Sequence, residues 1–249
     1  MSDVTKLLQS LLNGEDIGNF DPKSRMEAYL KNCCLASGVG GLPEPITETD
    51  ALLYQLAEKL GTGGGGAKEP YIEETYDANG NLIDVNLVGY TAIRPYLFFD
   101  CSSLALPSLP SGLTSIGNSA FSGCTNLALT SLPSGVTSIG NSAFSGCTNL
   151  ALTSLPSGIT SIGYGTFQDC TNLALTSLPS SITSIENFAF RSCTGLTSIT
   201  FKGKPNSISS YAFYTCTNLK TINVPWASGA VSGAPWGATK ATINYNYTG

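Results

Sequence analysis

The stretch Leu113–Gly135, LTSIGNSAFSGCTNLALTSLPSG, decides how most of the chain folds. The next stretch, Val136–Gly158, repeats it with one change, a valine in place of the first leucine. The same step of 23 residues recurs over six units, in which phenylalanine, cysteine, leucine and isoleucine each keep one position. These rows run from Phe98 to Phe213, from Cys101 to Cys216, from Leu104 to Leu219 and from Ile93 to Ile208. Four residue types in register over six units predict a repeat architecture.

A single unit cannot bury its own apolar residues, because it is one coil of chain with one apolar side. Stacked coils align each residue with its equivalents, so the four rows become ladders inside a solenoid. Within a unit, Thr125–Pro133 is prone to β-structure and ends at a proline, which predicts a strand. Ser134–Gly140 is predicted as a second extended piece. Asn118–Cys124 is too short for a full helix and is predicted as one helical turn that presents Phe121 inward.

The pattern L-x-x-x-x-L-P-x-x-[LVI]-x-x-I-G-x-x-A-F-x-x-C resembles the BspA-like class of leucine-rich repeats over roughly Leu87 to Pro225. The resemblance implies a mainly β solenoid of six 23-residue units, with a strand on one face and short helical turns on the other. The middle units place Leu129, Leu152 and Leu175 where that class more often has a polar residue. Which strand residues of the middle units point inward therefore stays open at the level of sequence.

Both ends of the array carry residues that can cover an exposed coil, which a solenoid requires. Residues 71–90 contain two β-prone runs around Asn79-Gly80, and this pattern predicts a hairpin cap before the solenoid at 87–225. Residues 226–249 are predicted to form the C-terminal cap, with Trp226 and Trp236 over the last coil. The alternative role for these two tryptophans is that of aromatic platforms for a sugar.

Residues 1–60 differ in composition and show helical periodicity, followed by a Gly-rich linker at 61–70. Capping-box pairs at Ser24/Glu27 and Thr47/Asp50 predict helices at about Arg25–Asn32 and Glu48–Leu60. These helices are either a small independent domain or an anchoring and assembly region, because so few residues bury little apolar surface alone. The candidate anchoring residues are Leu7, Leu8, Leu11, Leu12, Met26, Tyr29, Leu30, Leu52, Leu53 and Leu56.

A second resemblance concerns the two ends of the chain. The stretch PKSRMEAYL, followed by the Gly-rich linker, resembles the N-terminal region of bacteriophage virion fibre proteins. The ending VPWASGAVSGAPWGATKATINYNYTG is similar to that of BspA-like arrays carried by phages and prophages of gut bacteria. The resemblance implies assembly in the host cytoplasm and release by lysis, so that a role outside the cell needs no signal peptide.

The composition argues against several classes of function. The 249-residue chain has a formal net charge of −5 and no histidine, so Ser–His catalysis and histidine metal ligation are excluded. The charged residues between Cys101 and Thr200 are Asp169, Glu186 and Arg191, which leaves no basic stripe for nucleic acid. No apolar run predicts a membrane span, and the first residues are a poor secretory signal. With no phosphate loop and no clustered carboxylates in the repeats, we expect no catalytic residue and no enzyme.

The cysteine row allows a bridged or metal-bound ladder or a row of buried free thiols. Neighbouring side chains in such a ladder point the same way into a packed core, which disfavours bridging. A 23-residue spacing is also not a zinc-ligand spacing. We therefore expect inert core thiols, with no metal and no cofactor; Cys33 and Cys34 lie outside the row.

Departures from the repeat are the candidate recognition residues. They collect around the predicted helical turn in the later units, on one side of the solenoid. Exposed aromatic residues and arginine are enriched at recognition sites, so this side is a candidate partner-binding edge, with drift at solvent-facing positions as the alternative. The candidate residues are Tyr164, Gln168, Asp169, Phe188, Arg191, Tyr211 and Tyr214.

The residues and the two resemblances together predict a bacteriophage virion structural protein, a head or tail fibre. Its N-terminal helices would dock to other virion proteins, and the solenoid would project for adhesion to a host-surface glycan or protein. Homotypic packing of the helices would make a homo-oligomer, for example a trimer. The predicted location is the virion surface, and the alternative is a BspA-like adhesin on a bacterial cell surface.

Overall fold

The computed structural model describes residues 71–248, so the predicted helices of residues 1–60 and the linker at 61–70 lie outside the described residues. The described residues form a β-solenoid of about seven turns. Their strands, in chain order, are β1 (Tyr71–Tyr76), β2 (Leu82–Val88), β3 (Ala92–Ile93), β4 (Ser115–Ile116), β5 (Ser138–Ile139), β6 (Ser161–Ile162), β7 (Ser177–Leu178), β8 (Ser184–Ile185), β9 (Ser198–Phe201), β10 (Ser207–Ile208), β11 (Thr221–Asn223) and β12 (Thr242–Asn244).

The isoleucine row forms the first wall of the solenoid. Strands β3, β4 and β5 pair in parallel, so that Ile93 faces Ile116 and Ile116 faces Ile139. Strands β6, β8 and β10 continue the row as a second parallel sheet with the same step. Since the pairing step equals the sequence period, every residue lies next to its own equivalent, and one short extended piece per coil builds a continuous wall.

The second wall is regular only toward the C-terminus, where β7, β9, β11 and β12 form a parallel sheet. In a middle unit Leu127, Leu129 and Leu132 are all buried, which leaves two consecutive residues outside between the second and third leucines. A strand cannot do this, because its side chains alternate. In β9 the buried residues are Ile199 and Phe201, two apart, and the alternation is restored. The strand predicted for Thr125–Pro133 is therefore wrong. The leucines whose orientation the sequence left open, Leu129, Leu152 and Leu175, all point inward.

The segment around each ladder phenylalanine is a series of turns, and the predicted helical turn is wrong. Within residues 71–248 no helix is present. Ser119 and Gly123 flank Phe121 with φ of 51° and 80°, outside the helical region. The N–H groups of Ser119, Phe121 and Gly123 donate to carbonyls of the next coil at 2.8–2.9 Å. Because these donors bond across coils, they cannot close a helix within one coil.

The phenylalanine rings form the centre of the core. Phe98, Phe121, Phe144, Phe167, Phe190 and Phe213 are buried and stacked, with successive ring centroids 5.1–5.7 Å apart. The interplanar angles are between 2° and 22°, so the rings are nearly parallel. Each such pair contributes about 0.5–1.5 kcal/mol beyond the burial of its apolar area.

At the N-terminal end the array begins at a hairpin. Strands β1 and β2 pair antiparallel around a turn in which Asp77 Oδ1 accepts the N–H groups of Asn79 and Asn81 at 2.8 Å. The side-chain and backbone hydrogen bonds from Asn81 lower the pKa of Asp77. Strand β2 joins the first coil through the carbonyl of Ile83, which accepts the N–H of Ala105 at 2.9 Å.

At the C-terminal end two indole rings pack against the last coils. Trp236 is fully buried and Trp226 is 6% exposed. The ring of Phe201 lies 5.3 Å from that of Trp226 and 6.2 Å from that of Trp236. Neither indole is therefore open to solvent, and the alternative that they are platforms for a sugar is wrong.

Gly112 and Gly140 both have a backbone φ that other residues adopt, but only Gly140 lies close to a neighbouring coil. A Cβ on Gly140 would overlap the backbone nitrogen and the Oδ1 of Asn118 in the preceding coil, whereas a Cβ on Gly112 would meet no atom within 4 Å. We expect Gly140→Ala to lower the free energy of unfolding by about 1–3 kcal/mol. The control Gly112→Ala is expected to leave it unchanged or raise it by about 0.4–1 kcal/mol. Urea unfolding followed by circular dichroism measures both, and equal values for the two variants would contradict the close approach.

Candidate functional site

The residues that flank each buried phenylalanine form the outer edge of the solenoid. Because the phenylalanine ring points inward, the residue just after it and the residue two before it lie toward solvent. In the last coil these positions carry Tyr211 and Tyr214, which are 51% and 43% exposed, and in the coil before it they carry the half-buried Phe188 and Arg191. Tyr164, three residues before Phe167, is 46% exposed. We call the surface formed by Tyr164, Phe188, Arg191, Tyr211 and Tyr214 the aromatic edge.

The aromatic edge is a continuous row of ring contacts over three coils. The ring of Tyr164 meets that of Phe188 edge-on at 5.8 Å, and Phe188 lies 5.9 Å from Tyr211. Tyr211 in turn meets Tyr214 edge-on at 5.8 Å. The structure thus brings four of the predicted aromatic residues together, although they are spread over 51 positions of sequence.

Arg191 completes the edge. Its guanidinium carbon lies 5.6 Å from the centroid of Phe188, a cation–π geometry. Its Nε is buried and has no hydrogen-bond partner within the described residues. The ring of Phe188 therefore supports the charged group of Arg191 at the surface of the coil.

Gln168 and Asp169, the other two predicted residues, form a pair of their own. The Nε2 of Gln168 donates to Oδ2 of Asp169 at 3.1 Å, and both side chains are half-buried. The backbone of Asp169 also has a structural role, because its N–H donates to the carbonyl of Arg191 at 2.8 Å and its φ is 58°. They lie in the coil of Tyr164, beside the row of rings.

A groove next to Tyr164 contains residues that the sequence did not single out. It has a volume of about 500 Å³ and is lined by Tyr164, Ile185, Glu186, Asn187, Ser207, Ile208 and Ser209. The signal in the sequence is that Glu186 stands where the preceding units have Gly117, Gly140 and Gly163. One substitution in a repeat does not show whether space is open beside it, so the sequence alone does not predict the groove.

A smaller aromatic pair lies at the other end of the array. Tyr96 and Phe99 occupy the equivalent positions of the first coil, with ring centroids 6.0 Å apart, and Tyr96 is 53% exposed. The two coils that follow carry Ser119, Ser122, Ser142 and Ser145 at these positions. The aromatic edge is therefore separated from this pair by two coils with serine only.

The cysteine row contributes hydrogen bonds to the core rather than a reactive site. Each Sγ from Cys124 to Cys216 donates to the carbonyl of the ladder phenylalanine one coil earlier, at 2.9–3.0 Å. These five thiols are buried and unbridged. Burial raises the pKa of each thiol, to about 12 for Cys216 and well above the ordinary range for Cys147, Cys170 and Cys193. Such thiols are held in the neutral form, which is a poor nucleophile and metal ligand.

Residues 71–248 contain no group of three or more acidic or cysteine side chains placed to hold a metal ion. The same residues contain no helix that is long and apolar enough to cross a membrane.

The stacked coils, with one short parallel strand per coil and an inward leucine row, define a leucine-rich-repeat solenoid. A family model described as "BspA type Leucine rich repeat region (6 copies)" matches residues 91–220. The chain therefore belongs to the BspA-type leucine-rich-repeat family. No curated protein matches the chain.

Among solved structures, the fold is similar to three leucine-rich-repeat proteins. The T. pallidum protein TpLRR is 27% identical, with 71% of this chain and 79% of that chain covered and a TM-score of 0.45. A leucine rich cell surface protein from Faecalibacterium prausnitzii is 26% identical, with 72% and 41% covered and a TM-score of 0.44. A protein from Bacteroides ovatus is 17% identical, with 72% and 76% covered and a TM-score of 0.31. This chain thus spans less than half the length of the F. prausnitzii protein.

The buried thiols lead to a prediction about pH. An unfolded thiol ionises at about pH 8.5, whereas the folded thiols stay protonated above that pH. Between about pH 8.5 and the folded pKa the unfolded state binds fewer protons, so each thiol lowers the free energy of unfolding by about 1.4 kcal/mol per pH unit. In urea unfolding from pH 7.5 to 10, we expect the stability difference between the natural protein and Cys147→Ala to shrink by this amount per pH unit above about pH 8.5.

Ser145→Ala is the control, because this half-buried serine does not titrate and its effect on stability is expected to be the same at each pH. A constant difference for Cys147→Ala over the same range would show that the thiol ionises equally in both states.

Proposed function

We propose that this chain is a non-enzymatic recognition protein displayed on a surface, and that the aromatic edge is its contact surface. The observation that carries the proposal is a row of ring contacts over three adjacent coils, next to coils with serine at the equivalent positions. Tyr164, Tyr211 and Tyr214 are exposed, and Phe188 and Arg191 between them are half-buried. Solvent-facing aromatic rings do not stabilise the solenoid core, which the phenylalanine stack already fills. Aromatic residues and arginine are the types that carry most binding energy at protein surfaces.

The chemistry of the chain favours binding over catalysis. There is no histidine to serve as a general base, and the five buried thiols are kept protonated. The exposed side chains of the middle coils are mainly serine and threonine, whose hydroxyls in part donate to carbonyls of the preceding coil, as Thr114 and Thr148 do. A regular scaffold with one irregular face suits recognition.

For the location, we propose a bacteriophage virion, with residues 1–60 docked to other virion proteins and the solenoid projecting outward. The support is the resemblance of PKSRMEAYL and the linker to fibre proteins. A second candidate is a bacterial cell-surface adhesin, which membership of the BspA-type family favours. Both candidates use the aromatic edge in the same way and differ in what residues 1–60 attach to.

Removal of the edge tests the contact surface. We expect the variant with Phe188, Arg191, Tyr211 and Tyr214 all changed to serine to lose at least about tenfold in binding to cells, which corresponds to about 1.4 kcal/mol. The measurement is flow cytometry of the labelled full chain on gut bacterial strains and an epithelial cell line. The matched control changes Tyr96 and Phe99 to serine, which removes two exposed rings from the first coil. Equal binding of both variants and the natural chain, or no binding to any of these cells, would contradict the proposal.

The role of residues 1–60 is tested by solution mass. We expect the full chain to be an oligomer in light scattering and the chain that starts at Ala67 to be a folded monomer, because the apolar helix faces predicted for residues 1–60 need a partner. A monomeric full chain would contradict self-assembly through this region. It would leave docking to a foreign protein as the route of display, to be sought by pull-down with the isolated region.

A further inference from the structure

We propose that the groove between the coils of Tyr164 and Ser209 binds a neutral carbohydrate chain. This inference rests on the proposed function, since it names the class of ligand that the solenoid recognises. The groove lies beside the Tyr164 end of the aromatic edge, so a ligand in it also reaches the row of rings.

The groove lies where an asparagine ladder is interrupted, because Tyr164 takes one place of the row before Asn187 takes the next. In the earlier coils Asn118 Oδ1 accepts the N–H of Asn141 at 2.9 Å, and Asn141 Oδ1 accepts the N–H of Tyr164 at 3.0 Å. These amides occupy the space under Gly140 and Gly163. Tyr164 stands in the next place of the asparagine row, and its ring is exposed to solvent. The space that an asparagine fills in the earlier coils is therefore open beneath Glu186.

The groove presents the groups that bind sugars. Glu186 is exposed, and its carboxylate makes no hydrogen bond or ion pair within residues 71–248, so both oxygens are open to donors. A carboxylate accepts hydrogen bonds from hydroxyl groups strongly, and a sugar offers adjacent hydroxyls. Ser207, Ser209 and Asn187 also line the groove, and the hydroxyl of Ser209 donates to Oδ1 of Asn187. Tyr164 provides an aromatic face for the apolar C–H face of a sugar ring.

Size and polarity favour a sugar over a protein partner. The groove has a volume of about 500 Å³ and is widely open to solvent, so it suits one side of an extended ligand. Ile185 and Ile208 are buried, and the surface left to a ligand is about equally polar and apolar, which suits a sugar with both hydroxyl groups and a C–H face. A protein partner needs a larger patch with an apolar centre.

The charges favour a neutral sugar. An anionic sugar would be repelled by the carboxylate of Glu186, which has no cationic partner in the described residues. Arg191 is the one cationic residue between Cys101 and Thr200, and its guanidinium lies over Phe188. The rings continue from Tyr164 to Tyr214 in steps of 5.8–5.9 Å, so the ligand is a chain of sugars rather than a single unit.

The test is affinity electrophoresis of the full chain in native gels that contain galactomannan, barley β-glucan or yeast α-mannan, with polygalacturonate as the anionic comparison. We expect at least one neutral polysaccharide, and not polygalacturonate, to retard the protein. Tyr164→Ala and Glu186→Gln are each expected to weaken this binding by about tenfold or more, because each removes a direct contact. Tyr96→Ala is the matched control, because Tyr96 is a similarly exposed tyrosine of the first coil, and it is expected to bind within about twofold of the natural chain.

We expect both variants to fold as the natural chain does, because Tyr164 and Glu186 are exposed and the backbone N–H that donates to Asn141 remains in Tyr164→Ala. Circular dichroism checks this point. Retardation that Tyr164→Ala and Glu186→Gln leave unchanged would place the sugar elsewhere and overturn the proposed site.

A parallel experiment separates this inference from the proposed function. Cells that bind the protein are treated with periodate, which cleaves vicinal diols of sugars, or with protease. Binding that depends on the aromatic edge, survives periodate and is lost with protease would overturn the carbohydrate inference and leave the proposed function standing. Absence of binding to cells and to every polysaccharide would overturn both.

Discussion

The rest of the structure depends on one constraint: each coil must present to the next coil the same contact surface that the previous coil presents to it. At the turn of a coil, the N–H groups of Ser119, Phe121 and Gly123 donate to the next coil, and the thiol of Cys124 donates to the previous one. The isoleucine pairing and the ring stack advance by the same 23 residues. A coil of another length would misalign all of these contacts at once, so the strands, the rings and the thiols share one register.

This constraint explains what the sequence could and could not predict. Periodicity alone identified the inward phenylalanine, cysteine, leucine and isoleucine rows, because burial in a solenoid follows the repeat. The backbone of the turn was mispredicted, since serine at position 119 carries no signal for positive φ and hydrogen bonds between coils outweigh local helix preference. The strand of the middle units was mispredicted for a related reason: the leucine spacing of two and then three places Leu129 and Leu132 inward without strand alternation.

The candidate site, too, was predictable from the sequence only in part. Repetition made the aromatic residues of the later coils stand out against serine, and the structure brings Tyr164, Phe188, Tyr211 and Tyr214 into one row. The groove beneath Glu186 escaped prediction, because it depends on a side chain that is absent from a ladder and so on volume rather than on residue type. The predictions for residues 1–60 lie outside the described residues and stay predictions.

The near identity of the second and third coils has a consequence for how the molecule can vary in length. Their surfaces toward neighbouring coils are interchangeable, so loss or gain of one 23-residue unit would leave every ladder intact. The distance from the hairpin to the aromatic edge would change by about 4.8 Å, the spacing of neighbouring strands. The serine coils thus form a spacer whose length can change without any change to the contact surface.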